Sequence, residues 1–194
     1  MRLDPNFQPI VTERLTLRRS RADDAGIISA YRKDPEVHRY QGWDRTDPDG
    51  VREEIERMSE RAPGDPTGWV QLSVEERGTQ ALVVDVGLSP AEGETDVIKL
   101  GYTMSPAYQG RGYATEAVTA LVTYAFETLA AVVVRIYANE VNVPSIRVAE
   151  KAGLRLIERI ERSYDGEVWF GVRYELSRQD FRPSTTKPGR KSRT

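Results

Sequence analysis

The sequence predicts a mixed α/β fold: one central sheet of about seven strands with helices on both faces. Three observations carry that prediction. Strand-like and helix-like segments follow each other in the order β-α-α-β-β-β-α-β-α-β-β, too mixed for a bundle or a sandwich. Residues 97–129 read as a strand, a short glycine-rich loop and a long amphipathic helix. Val132 to Ala138 is nearly all apolar, as in a strand buried on both faces.

Met1 to Pro9 carries no periodicity and reads as a loose arm. Arg14 to Arg19 alternates Leu15 and Leu17 with polar residues, the pattern of a half-buried strand. Asp23 and Asp24 place acid at a helix N-terminus, Ala25 to Lys33 forms the helix, and Asp34-Pro35 ends it. Val37 to Asp44 is a loop with exposed aromatic potential. Asp47-Pro48 opens a second helix through Val51, Ile55 and Met58 to about Arg61. Ala62 to Gly68, rich in Pro and Gly, is a loop. Trp69 to Glu75 and Gln80 to Leu88 are strands joined by a turn at Arg77-Gly78, and Ser89 to Thr95 is an acidic turn.

Val97 to Met104 has β-branched and aromatic strand content, stopped by Pro106. After Gly112, Ala114, Ala117, Val118, Leu121, Ala125 and Leu129 recur at helical spacing. Asn142 and Pro144 start a short helix that Gly153 closes. Arg155 to Ser163 and Val168 to Leu176 form a hairpin around Asp165-Gly166. Residues 1–181 form a single domain without repeats. The tail, 182–194, holds Arg182, Lys187, Arg190, Lys191 and Arg193 and no acid. Its composition predicts disorder, with contact to an acidic partner such as RNA as the alternative.

Composition removes several function classes. The formal net charge of −2 gives no global pull toward nucleic acid or a membrane. Cysteine is absent, so there is no disulfide framework, thiolate nucleophile or cysteine metal site. His38 is the only histidine, which removes a multi-histidine metal cluster and leaves no partners for a serine-hydrolase triad. No metal is expected. No apolar run approaches the ~20 residues that span a bilayer, and residues 1–9 lack the apolar core of a signal peptide. The chain reads as soluble and cytoplasmic.

The glycine-rich loop is the first chemical signal. Gly110 and Gly112 flank Arg111 with no bulky side chain nearby, directly before a helix whose first-turn N–H groups lack intrahelical partners. Such a turn binds phosphate or pyrophosphate. The Gly-x-x-x-x-Gly-Lys-Ser/Thr loop of nucleoside triphosphatases is absent, and Thr115 stands where the dinucleotide fingerprint needs its third small residue.

What is present, Gln109-x-x-Gly112-x-Ala114, resembles the acetyl-coenzyme A loop of the GNAT superfamily of N-acetyltransferases, Gln/Arg-x-x-Gly-x-Gly/Ala. A second match lies one helix and one strand further on. Asn142-Val143-Pro144-Ser145, followed by Glu150-Lys151-Ala152-Gly153-Leu154, resembles the family's Asn-x-x-Ser/Ala and Glu-Lys-x-Gly-Phe, with leucine for phenylalanine. The opening Thr12-Glu13-Arg14-Leu15-Thr16-Leu17-Arg18, the loop Tyr40-x-x-Trp43 and Ser145 are similar to the RimJ/RimL ribosomal-protein N-terminal acetyltransferases.

The resemblance implies a GNAT fold in which the strand 97–104 and the strand 132–138 are parallel neighbours that splay apart at one end. It implies acetyl-coenzyme A as co-substrate. The pantetheine arm would pair with the backbone of Tyr102, Thr103 and Met104. The pyrophosphate would rest on Gly110, Arg111, Gly112, Tyr113, Ala114 and Thr115 beside Gln109, with Asn142 on the pantetheine and Lys151 or Arg111 near the adenosine end. It implies transfer of an acetyl group to a primary amine, of a protein N-terminus or a small molecule, by direct attack. A backbone N–H near Met104 would hold the oxyanion.

Many members use a tyrosine seven residues after the motif asparagine at the leaving sulfur, and here that position is Ala149. In the RimL-like branch a serine does that work, and Ser145 fits; as a plain first-turn helix residue it would only satisfy backbone groups. Asp85 and Glu36 are the candidate general bases, although each reads first as a solvated surface acid. Tyr40, Trp43 and Trp69 are either acceptor-pocket residues or core. His38 reads as a loop residue. The resemblance also implies a homodimer. The missing tyrosine and the unplaced base keep open a module of the same fold that binds acyl-coenzyme A without turnover.

Overall fold

Periodicity and turn chemistry place most elements within a residue or two of where they form. The computed structural model describes residues 1–41, 45–164 and 167–183, and the side chains of 162–169 are outside that description. The strands are β1 Ile10–Val11, β2 Leu15–Arg19, β3 Val70–Glu76, β4 Leu82–Pro90, β5 Val97–Met104, β6 Val133–Asn139, β7 Arg155–Tyr164 and β8 Glu167–Ser177. The helices are α1 Ala25–Arg32, α2 Pro35–His38, α3 Pro48–Ser59, α4 Tyr113–Glu127 and α5 Val143–Lys151.

The strands form one sheet in the order β1-β2-β3-β4-β5-β6-β8-β7. Every pair is antiparallel except β5–β6. The expected seven strands become eight because Ile10–Val11 pairs with Leu17 and Thr16. Helices cover both faces, as expected. Leu121, Phe126 and Leu129 pack with Leu72, Val84, Val86 and Ile98 in the main core, while α1 and α3 meet over Ala25, Ile28, Tyr31, Val51 and Ile55. Among the described residues no helix is long and apolar enough to cross a membrane.

Helix ends follow local chemistry. Asp47 caps α3 by accepting from Gly50 N–H at 2.9 Å, and Pro48 follows at the first position. Asn142 caps α5 by accepting from Ser145 N–H at 3.2 Å.

Four expectations need correction. The N-terminal arm is pinned. Arg2 N–H donates to Leu129 O at 2.7 Å, Asp4 N–H to Pro63 O at 2.9 Å, and the Tyr124 hydroxyl to Asp4 at 2.7 Å. Phe7 enters the core edge-on against Tyr124, ring centroids 5.6 Å apart. Gly64 permits this: its φ is +89°, and a Cβ there would meet Arg2 O at 2.3 Å. The reading of 37–44 as loop omits α2, one helical turn capped by Asp34; residues 42–44 are outside the described residues. Strand β4 runs on to Pro90, through the start of the expected acidic turn, because β5 pairs with it as far as Ile98. Finally, β6 is buried on both faces only at its centre: Val134, Arg135 and Ile136 are enclosed, but Tyr137 is 40% exposed. Arg135 is tolerated there because Glu94 and Glu175 accept from it at 2.6 and 2.7 Å. The hairpin turn 165–166 and the tail from 184 are outside the described residues.

Candidate active site

The parallel pair is short. Val97, Ile98, Lys99 and Leu100 lie opposite Val133, Val134, Arg135 and Ile136, and the ladder stops there. Beyond it β5 continues to Met104 on β4 alone, and β6 continues to Asn139 on β8 alone. The sheet therefore splits between Gly101–Met104 and Tyr137–Asn139. Ser105 N–H donates to Val83 O at 3.1 Å. Backbone polar groups alternate in direction along a strand, so those of Met104 and Tyr102 point the other way, into the split.

At the end of β5 the chain makes one 3-10 turn, Pro106–Tyr108, and enters the glycine loop. Gly110 has φ +77° and Gly112 φ +79°, and Gly112 is the N-cap of α4 in the left-handed region. Gln109, Gly110, Arg111 and Gly112 are exposed, whereas the side chains of Tyr113 and Ala114 are buried and that of Thr115 half-buried. This stretch thus offers its backbone to solvent. The N–H groups of Gly110 to Thr115 make no hydrogen bond among the described residues, and a Cβ on Gly110 would meet nothing within 4 Å. A run of unpaired amides on an open helix N-terminus fits an anionic group. Arg111 lies over the Tyr108 ring at 5.2 Å.

The loop is tied from outside. Glu116, in the first turn of α4, accepts from Thr12 Oγ1 at 2.6 Å, Arg14 N–H at 2.9 Å and Arg14 Nε at 2.7 Å. Arg14 Nη1 donates in turn to Arg111 O at 3.0 Å, and Arg14 sits over the Tyr113 ring. The Thr12-Glu13-Arg14 stretch and Glu116, which sequence reading left unconnected, form one clasp.

On the α5 side of the split, the Tyr102 hydroxyl lies 2.8 Å from Ser145 Oγ and donates to Ser145 O at 2.7 Å. Burial pushes the Tyr102 phenol up to about 12, so it keeps its proton. Ala149 is fully buried in the core.

On the α1–α3 side is a cleft of about 290 Å³ lined by Arg32, Glu54, Trp69, Gln71, Asp85 and Thr103, among others. Asp85 and Thr103 are cross-strand neighbours there. The Asp85 carboxylate accepts from the Tyr31 hydroxyl and from Gln71 Nε2 at 2.9 Å, with Arg32 Nη2 at 3.7 Å. Arg32 is held by Glu54 at 2.7 Å. Burial pushes the Asp85 carboxyl above its ordinary value, although the Arg32 charge and the Tyr31 hydrogen bond pull the other way. Burial likewise keeps the Tyr31 phenol protonated. The Trp69 indole lies over Gly87 and Gly101, which face each other across β4 and β5; a Cβ on Gly87 would meet Trp69 Cε3 at 3.0 Å.

A family model described as "Acetyltransferase (GNAT) domain" matches residues 14–155, most of the chain. This chain belongs to the GNAT acetyltransferases. It is 27% identical over 160 residues to p20, an uncharacterised N-acetyltransferase of Bacillus licheniformis, spanning 82% of this chain and 88% of that protein. It is 32% identical over 134 residues to the FsC-acetyl coenzyme A-N(2)-transacetylase of Aspergillus fumigatus, a match covering 65% of this chain and 53% of that one. The structure of a Vibrio cholerae protein assigned as a ribosomal-protein-serine acetyltransferase superposes with a TM-score of 0.73 at 29% identity, covering 89% of this chain and 98% of the other. The protein is therefore an acetyltransferase enzyme with a mixed, mostly antiparallel GNAT sheet, and GNAT acetyltransferases use acetyl-coenzyme A.

In this GNAT acetyltransferase the split gathers Tyr102, Thr103, Met104 and Ser145, with Asn142 capping the helix that carries Ser145. Asp85 lines the cleft on the opposite face. Other candidate residues lie outside both the split and the cleft lining. Lys151 stands in the last turn of α5, roughly 13 Å along the axis from Asn142. Glu36 is exposed and pairs with Arg39. Tyr40 is half-buried under the Arg39 guanidinium, and it is Gln41 that reaches the cleft. Trp43 is outside the described residues. Sequence reading missed Tyr31, Arg32, Glu54 and Gln71. A readable signal existed: Gln71 and Ser73 alternate with buried apolar residues on β3, as Asp85 and Gly87 do on β4, marking a polar stripe on one face.

Proposed function

We propose that this enzyme transfers an acetyl group from acetyl-coenzyme A to a primary amine by direct attack, the amine entering from the cleft on the α1–α3 face. The observation that carries the reading is the parting of β5 and β6 after Leu100 and Ile136, beside a loop of unpaired amides. The free edge of Tyr102 to Met104 would hold an extended pantetheine arm as an added strand, and Gly110 to Thr115 would hold its pyrophosphate. When bound, the cofactor supplies the activated acyl group. The chain's own residues supply the rest. Met104 N–H, aimed into the split, stabilises charge developing on the carbonyl oxygen. Ser145 donates a hydrogen bond to the departing sulfur. Asp85, a carboxylate whose proton affinity burial raises above the ordinary value, receives the amine proton, directly or through water.

Two acceptor classes have support. The 29% likeness to a protein assigned to ribosomal-protein serine favours a protein N-terminal α-amine, the RimJ/RimL type. The Aspergillus relative, whose name specifies an N(2) acetyl transfer, favours a small amine. A cleft of about 290 Å³ takes either a single N-terminal residue or a compact amine.

The test is thiol release from acetyl-coenzyme A over a panel of peptides and small amines, with calorimetry of coenzyme A binding. Gly112→Glu should abolish coenzyme A binding, because it places a bulky anion at the amide run; unchanged affinity would refute the site. Ser145→Ala should lower turnover far more than cofactor affinity, and equal turnover would remove Ser145 from the mechanism.

A further inference from the structure

We infer that Tyr102 is a positioning residue for acetyl transfer: its hydroxyl chooses between two acceptors on Ser145 and thereby decides where the Ser145 hydroxyl proton points. The inference rests on the role proposed above for Ser145.

The geometry is specific. Tyr102 stands two residues past the last β5–β6 pair, at the mouth of the split. Its oxygen is 2.7 Å from Ser145 O and 2.8 Å from Ser145 Oγ, so both acceptors are within reach of one phenol proton. Ser145 is the third residue of α5, and its own N–H is taken by Asn142 Oδ1 at 3.2 Å. The hydroxyl is thus the one part of Ser145 free to reorient.

Two arrangements satisfy these distances. In the first, the phenol donates to Ser145 O, and the only useful direction for the Ser145 proton is back to the phenol oxygen. Both hydroxyls are then satisfied internally. In the second, the phenol donates to Ser145 Oγ, and the Ser145 proton is released toward the split. Negative charge on a departing sulfur favours the second, since a hydrogen bond to a charged acceptor is stronger than one to a neutral oxygen. No bond to hydrogen breaks in the exchange: each hydroxyl keeps its proton and changes acceptor. The phenol suits this task because burial keeps it protonated.

Without the phenol oxygen, the Ser145 hydroxyl would turn to the carbonyl of Asn142 or Val141, three or four residues back at the helix start, the local bond that serine commonly makes. It would then point away from the split with the fold intact.

The experiment is a double-mutant cycle with Tyr102→Phe, Ser145→Ala and the pair, reading kcat, KM for acetyl-coenzyme A and thermal melting. Tyr102→Phe should lower kcat about tenfold, the value of one well-placed hydrogen bond, with KM changed less than about twofold. The double variant should be no slower than Ser145→Ala alone, because the phenol acts only through the serine. Wild-type kcat in Tyr102→Phe alongside a slow Ser145→Ala overturns this inference and leaves the proposed role of Ser145 standing. Losses that multiply in the double variant overturn it too, since they would mean independent actions. Wild-type turnover in Ser145→Ala removes the serine from the mechanism and the inference with it.

Discussion

Replacing Glu116 tests whether the N-terminal segment clasps the glycine loop. The carboxylate accepts from Thr12 Oγ1, from Arg14 N–H and from the Arg14 guanidinium, all at 2.6 to 2.9 Å. Not all of this is lost on truncation. Thr12 Oγ1 already has Leu15 O at 3.2 Å as a second acceptor, and the Arg14 side chain, 44% exposed, turns to water. What remains is about one charge-assisted hydrogen bond, roughly 1.5 kcal/mol, plus about 0.5 kcal/mol for an anion in the first turn of a helix. Glu116→Ala should therefore cost about 2 kcal/mol. Glu116→Gln keeps an oxygen for Thr12 and Arg14 N–H but sets an amide against the guanidinium, and should cost about 1 kcal/mol. With an m-value near 2 kcal/mol/M, the urea midpoint falls by about 1 M for Ala and about 0.5 M for Gln. Because Arg14 also holds Arg111 O, coenzyme A affinity should fall several-fold in both. Midpoints within about 0.2 M of wild type would refute the energetic argument. Lower stability with unchanged affinity would refute the link to the loop.

Two further outcomes follow from the packing and the buried carboxylate. Phe7→Ala removes a ring packed in the core against Tyr124 and should cost about 3 kcal/mol by urea unfolding; a cost under about 0.5 kcal/mol would mean the arm is loose after all. Asp85 has a folded pKa above its unfolded value, so the stability of its protonated form is fully present below the unfolded pKa and is lost as pH rises through the folded one. Asp85→Asn should therefore gain stability relative to wild type as pH rises above the ordinary carboxylate pKa of about 3.9, while kcat/KM loses its acid limb. A pH-independent stability difference would contradict the raised pKa, and an unchanged rate profile would exclude Asp85 as the base.

The sequence was most informative where function depends on backbone. Gly110, Gly112, Asn142 and Pro144 announce their conformations locally, because a left-handed cap, a side-chain cap and a helix start need particular residue types. The strand–loop–helix 97–129 was legible for the same reason. Contacts between distant elements were not. Tyr31 reads as an ordinary helix residue until α1 folds over β4 and sets its hydroxyl on Asp85, 54 positions away. Glu116 looks like solvated helix acid, and its partner Arg14 lies 102 positions earlier. Phe7 sits in a segment with no periodicity, so nothing local says that it docks beside Tyr124. Trp69 was left between pocket and core because the two glycines that receive its ring lie on other strands.

The docking of the first residues sets a schedule for the nascent chain. Arg2 waits for Leu129, Asp4 and Phe7 for Tyr124, and Thr12 and Arg14 for Glu116. The segment 2–14 therefore cannot settle fully until synthesis has passed Leu129, roughly 115 residues beyond Arg14 and on the order of ten seconds later at ordinary elongation rates. Over that interval Phe7 has the Arg19 guanidinium beside its ring but not Tyr124, and completion of α4 is the event that lets the N-terminal segment lock.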